Sequence, residues 1–144
     1  MARIDPRLLE AARYPLRIEI TTRFADMDRQ QHINNVAIAE AFEDARVRLH
    51  DQARVYDSFG RLGSVVGAHY IDYLAEAHYP DLLVLHIGAM AIGRTSWTLG
   101  SIATQSGRVC AFSKAVMVAA RDGRAEPFPD AARQALTPYL IKLD

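Results

Sequence analysis

From position 16 to 24 the chain alternates. Leu16, Ile18, Ile20, Thr22 and Phe24 fall on one face, and Arg17, Glu19, Thr21 and Arg23 on the other. A period of two marks a strand with one face buried. The alternation stops in residues 25–34, where two Asp, one His and one Asn make a polar loop. From 35 to about 52 the period changes. Ile38, Phe42, Ala45 and Leu49 recur at steps of four, three and four, which is one stripe of a helix. Asn34 or Asn35 stands where an N-cap belongs. Glu40, Glu43, Asp44, Arg46, Arg48 and Asp51 are assigned to the opposite, solvated face, with Asp44 and Arg48 one turn apart as a stabilising pair.

Strand-like runs then follow one another: 64–75, 82–92, 94–104 and 108–120. Ser106-Gly107 and Asp122-Gly123 mark tight turns. At the front, Asp5-Pro6 predicts a short helix over 7–13, closed by Tyr14-Pro15. At the back, Pro127 to Asp130 opens a last helix that ends near Pro138. One strand, one long helix and four further strands predict an α+β fold with an antiparallel sheet of about five strands. One helix can cover a face of such a sheet but not its edge, so edge-to-edge pairing of two copies is expected.

Composition narrows the class. The chain has 144 residues, half of them hydrophobic and 24% charged, which excludes intrinsic disorder. Its length fits a single domain spanning 1–144. Lys+Arg and Asp+Glu both total 17, so the basic footprint of a nucleic-acid binder is absent. A lone cysteine rules out an intrachain disulfide. Residues 1–16 lack the continuous apolar stretch of a signal peptide, and no apolar run is long enough to span a membrane. A cytoplasmic location without membrane attachment is the expectation.

The segment from Arg23 to Asn35 concentrates the chemistry, with Asp26, Asp28, His32, Asn34 and Asn35 at a strand-to-helix junction. A helix N-terminus presents unspent backbone N–H groups and partial positive charge. A carbonyl oxygen lying there is polarised as in an oxyanion hole. A carboxylate beside such donors points to acyl transfer or hydrolysis.

This segment resembles the signature of the 4-hydroxybenzoyl-CoA thioesterase branch of the hotdog-fold superfamily. The resemblance rests on Phe24, Asp28, His32, Asn34-Asn35 and Phe42-Glu43-Asp44-Ala45-Arg46. It continues through Ile71-Asp72-Tyr73-Leu74, residues 92–99 and Pro127 to Pro129. It implies a long central helix wrapped by a curved antiparallel sheet, a dimer joined at sheet edges and often paired again into a tetramer, and hydrolysis of acyl-CoA thioesters at the dimer interface. By position it makes Asp28 the catalytic carboxylate, as nucleophile or general base, and Asp26 the less important first Asp. Backbone N–H groups around Asn35 to Ala37 become the oxyanion donors, with His32 orienting the loop. Asn34, Ile38, Arg94 and Ser96 become substrate or coenzyme A contacts, with Lys114, Arg121 and Arg124 as further cations for its phosphates. The family's usual Gly before the His is Gln31 here, and two aromatic positions on the helix are Ile38 and Ala41, which reshapes the acyl pocket. Coenzyme A enters as part of the substrate, and no cofactor or metal is expected. The five histidines are scattered without metal-ligand spacing, and Cys110 in an apolar strand reads as a buried thiol.

Other readings remain. A second thioesterase branch uses a helix glutamate, which makes Glu43 the rival carboxylate. A hotdog hydratase needs an Asn-Pro and a longer gap between its Asp and His, which residues 28–32 lack. A binding or sensing module would keep acyl-CoA affinity without turnover.

Overall fold

The five long strands wrap one long helix, and the order in which they pair decides where the loop chemistry falls. The structure, a computed structural model, describes residues 3–144. Strand β1 is Leu16–Ile20, helix α1 is Asn35–Ala53, and β2 is Gly63–Tyr73. Then come β3 (Leu83–Ile92), β4 (Ser96–Gln105), β5 (Arg108–Arg121), the two-residue β6 (Arg124–Ala125) and helix α2 (Asp130–Leu136). All pair antiparallel in the order β1-β3-β4-β5-β2, with β6 beside β5. Strands β1 and β2 are therefore the two long edges. Irregularities in pairing interrupt β2 between Val66 and Ala68 and β3 between Ala89 and Ala91, where such bulges bend a sheet. This is the hotdog architecture, with a central helix of 19 residues in a curved antiparallel sheet.

The predicted stripe of α1 is its buried stripe: Ile38, Phe42, Ala45 and Leu49 are almost wholly inaccessible, and they pack on Leu85, Ile87, Trp97 and Leu99 of the sheet. Asn34 is the N-cap, its Oδ1 accepting from Ala37 N at 2.8 Å. Arg54 ends the helix in the left-handed conformation.

Four expectations change. The helix predicted over 7–13 is two 3-10 turns, Pro6–Leu9 and Ala11–Arg13, parted by extended Glu10. Strand β1 stops at Ile20, and Phe24 is 73% exposed in a 3-10 turn, because Thr22 leaves the ladder to donate its hydroxyl to Asp81 O. The strand predicted from 94 begins at Ser96, because Arg94 and Thr95 form the turn after Ile92. Arg46, assigned to solvent, is buried.

A second, smaller core lies on the other face of the sheet. Leu8 and Tyr14 from the N-terminal turns and Ile141 from the C-terminal tail pack on Ile102 and Phe112. Gly88 permits the crossing. A Cβ there would meet Pro15 at 2.6 Å, Ile141 at 2.8 Å and the carbonyl of Tyr139 at 2.9 Å. Among the described residues no helix is long and apolar enough to cross a membrane.

Candidate active site

The loop between β1 and α1 is held in shape by its own backbone. Met27 and Ile33 form an isolated bridge, Asp28 N donates to His32 O at 2.8 Å, and Gln31 N donates to Asp28 O at 3.0 Å. Closing so short a loop requires one residue with positive φ, and that residue is Gln31, at φ 64°. This is where glycine is otherwise favoured. Asp26 supports the loop from behind. Its carboxylate accepts from Arg23, whose guanidinium holds the Asp26 carboxyl below its ordinary range.

Asp28 sits at the rim. Its Oδ1 accepts from Gln30 N at 2.8 Å and His32 N at 3.1 Å, which fixes the carboxylate, while Oδ2 has no hydrogen bond among the described residues. The carboxylate is therefore oriented by one oxygen and open at the other. His32 turns away from it, with Nε2 3.2 Å from Glu76 Oε2 and its ring edge-on to His78. It ties the loop to the segment after β2.

Helix α1 opens beside this loop. Its first N–H groups divide in use: Ala37 N is taken by the Asn34 cap, and Ile38 N by Asn34 O. The N–H groups of Asn35 and Val36 have no acceptor among the described residues. Of the three donors expected around Asn35 to Ala37, two remain free.

A groove of about 650 Å³ brings Asp28, His32, Asn35 and Ile38 together with Tyr73 and Arg108. Tyr73, at the end of β2, donates its hydroxyl to Asn35 O at 3.0 Å and thereby ties the sheet edge to the helix start. Arg108 anchors one nitrogen on Glu76 O at 2.6 Å. The sequence reading did not single out these two. Tyr73 stood inside a quoted motif, and Arg108 directly follows the Ser106-Gly107 turn. Nothing local linked either to a loop far away in sequence.

The remaining candidates lie elsewhere. Asn34 acts as the cap and not as groove lining. Arg94 belongs to a separate surface hollow with Phe128 and Arg133, which donates to Arg94 O. Ser96 accepts from Gly93 N through its carbonyl at the same turn. Glu43 is exposed at mid-helix, in another pocket. Lys114 lies over the Tyr70 ring on the face covered by the termini. Cys110 is buried, and burial pushes its thiol up. Among the described residues no three His, Cys, Asp or Glu side chains cluster as metal ligands.

With this geometry in hand, comparison with known proteins defines the class. The chain belongs to the thioesterase-like superfamily, which matches residues 22–136. It is similar to the uncharacterized protein YsmA of Bacillus subtilis (strain 168), at 25% identity over 121 residues and 82% of each chain. Among solved structures it is similar to a predicted thioesterase from Bacillus stearothermophilus, with a TM-score of 0.79 and 30% identity over 89% of this chain and 98% of that one. It is also similar to a thioesterase from Thermus thermophilus complexed with coenzyme A and Zn. There the TM-score is 0.75 and the identity 28%, over 85% of this chain and 92% of that one. Membership and these neighbours support thioester hydrolysis as the general activity.

Proposed function

We propose that this protein hydrolyses acyl-CoA thioesters, with Asp28 as the catalytic carboxylate. One observation carries the reading: a carboxylate with a fixed Oδ1 and an open Oδ2 lies in the same groove as Asn35, the first residue of α1, whose N–H is unspent, as is that of Val36 next to it. The thioester carbonyl lies with its oxygen toward Asn35 N–H and Val36 N–H. These donors and the helix dipole stabilise the charge that develops there. Asp28 Oδ2 then acts in one of two ways. As a base it takes a proton from water, whose oxygen adds to the carbonyl carbon. As a nucleophile it adds directly, and water later cleaves the anhydride. In either case the C–S bond breaks and the sulfur leaves as coenzyme A thiolate. His32 is a positioning residue that holds the loop through its backbone and Glu76.

Coenzyme A as the leaving half draws support from the Thermus relative, which was solved with that molecule. Arg108 is the cation on the groove wall suited to a phosphate. Arg94 and Ser96 would meet the substrate only from a second copy. The outer edge of β2 favours such a copy, because Val65, Val66, Tyr70 and Tyr73 on that strand are each about half exposed. A dimer joined there would close the open side of the groove.

The test is release of free thiol from short, medium, long and aromatic acyl-CoAs by the wild type and by Asp28→Asn, both checked for folding. Loss of at least about a thousandfold in kcat is expected for the variant, the scale of removing a reacting group. Retained turnover would move the chemistry to Glu43. Saturable binding without turnover in the wild type would make the protein a sensing module. Single turnover in heavy-oxygen water separates the two roles, since label enters Asp28 only if the side chain attacks.

A further inference from the structure

Residues 74–82, between β2 and β3, belong to no strand, so their backbone groups find other partners. Leu74 N and Ala75 N both donate to Cys110 O, at 2.8 and 3.1 Å, and Glu76 O accepts from Arg108. His78 finds both its partners on one side chain. Its N–H donates to Gln105 Oε1 at 2.8 Å, and its carbonyl accepts from Gln105 Nε2 at 2.8 Å. The same Nε2 also donates to Asp81 O at 3.2 Å. Gln105 is the last residue of β4 and only 3% exposed. A carboxamide carries an acceptor and two donors, so it can pair with the N–H and C=O of one residue as a neighbouring strand would.

Satisfying buried backbone is reason enough for a buried glutamine. A second contact gives this one a further role. The peptide group that joins Ala77 to His78 is held on both sides. Its N–H goes to Gln105, and its C=O, that of Ala77, accepts from Ile33 N at 2.8 Å. A peptide group is planar and stiff, so Gln105 and Ile33 are linked through one rigid unit. Ala77 and Ile33 are both buried in the main core. Ile33 closes the Asp28 loop through its bridge to Met27. His32, next to it, holds Asp28 Oδ1 through its N–H at 3.1 Å. The His78 ring also stands edge-on to that of His32, with centroids 5.4 Å apart.

We propose that Gln105 is a positioning residue for the reaction: by fixing the Ala77–His78 peptide it sets the register of the Asp28 loop, and with it the carboxylate. The assignment rests on the reading of Asp28 as the catalytic carboxylate. Gln105 does not line the groove, whereas Ala77 and Ile33 do. Its influence therefore falls on the reacting step and not on substrate binding. A small misplacement of a reacting group, arising far from the chemistry, is enough to slow that step strongly.

Gln105→Met keeps the length of the side chain and loses its hydrogen bonds, and two measurements on it test the proposal. In hydrogen exchange followed by NMR, the Ile33 amide should exchange about fivefold faster or more, the scale of one hydrogen bond. The Leu49 amide, in the middle of α1, reports the stability of the whole fold and should change less. In thiol release from acyl-CoA, kcat should fall about tenfold or more while KM stays within about twofold. Gln105→Asn keeps an amide but is one methylene short. It should lie between wild type and Gln105→Met in both measurements, and it carries the test if the Met variant does not fold. Equal acceleration at Ile33 and Leu49 would make Gln105 a stabilising residue only, and overturns the assignment. An unchanged kcat in a variant whose Ile33 amide has loosened also overturns it, as does a rise in KM at constant kcat. A wild type that releases no thiol from any acyl-CoA would remove the thioesterase reading, and the exchange pattern alone would then decide whether Gln105 fixes the loop.

Discussion

Gln31 shows how one residue sets the loop that carries Asp28. At φ 64° it adopts a conformation that glycine reaches freely and a side-chain-bearing residue reaches at a cost of about 1 kcal/mol or more. A glycine at this position, as in the family pattern that the loop resembles, would relieve that cost. Gln31→Gly is expected to stabilise the protein by about 0.5–1 kcal/mol, the gain being trimmed by the added freedom of the unfolded chain. Gln31→Val should destabilise by about 1–2 kcal/mol, since a β-branched residue tolerates positive φ poorly. Denaturant midpoints read both, and a null or reversed Gly effect would show that the loop closes without strain. The sequence marked Gln31 as a departure from the family pattern. Its positive φ follows from the bridge between Met27 and Ile33, which no local rule supplies.

At the scale of elements, α1 is tied to the sheet by polar as well as apolar contacts. His50 on the helix accepts from Trp97 Nε1 on β4 at 3.0 Å through Nε2, and its Nδ1 lies 3.3 Å from Tyr56 Oη. An acceptor Nε2 requires the neutral ring, and burial, with Arg46 nearby, pushes the His50 pKa from 6.5 down to about 4. The sign follows from proton uptake. Between those two values the unfolded chain binds a proton that the folded chain refuses, so stability is lost as pH falls from 6.5 toward 4. The loss attributable to His50 is on the order of 3 kcal/mol. His69 and His86 are shifted in the same direction. Unfolding free energies measured across that range should therefore fall less steeply in His50→Gln, whose amide can still accept from Trp97. An unchanged slope would assign the loss to the other histidines.

For the whole molecule, the exposed surface is 8329 Å², against about 7,400 Å² from the scaling law for a monomer of this mass. The excess of about 900 Å² is near what one partner contributes to a standard interface. The apolar side chains of β2 lie on a strand whose outer backbone edge is unpaired, while much of the opposite face of the sheet is covered by the chain's own termini. Together these favour association through β2. Val65→Lys is expected to shift the protein toward monomer in sedimentation velocity and to lower turnover with it, because the partner would close the groove. A monomeric wild type, or a dimer indifferent to this lysine, would place the interface elsewhere.

The sequence by itself determined α1 and its buried stripe and narrowed the cap to Asn34 or Asn35, because helical period and N-capping are local properties that survive without neighbours. The five long strands were legible for the same reason, and the motif around Asp28 made it the candidate carboxylate. What only the tertiary structure decided is which distant residues meet. The pairing of β5 with both β4 and β2 leaves β2 at the edge and brings Tyr73 to the head of α1. Arg46 has the sequence signature of a solvated face yet lies buried, because the β2 edge folds over it and sets His69 against its guanidinium. Arg94 stands in a turn away from Asp28, since the β3–β4 turn falls beside α2 and not beside the β1–α1 loop. Periodicity fixes which face of an element is apolar. Only the packing of elements fixes what that face, or its polar opposite, is set against.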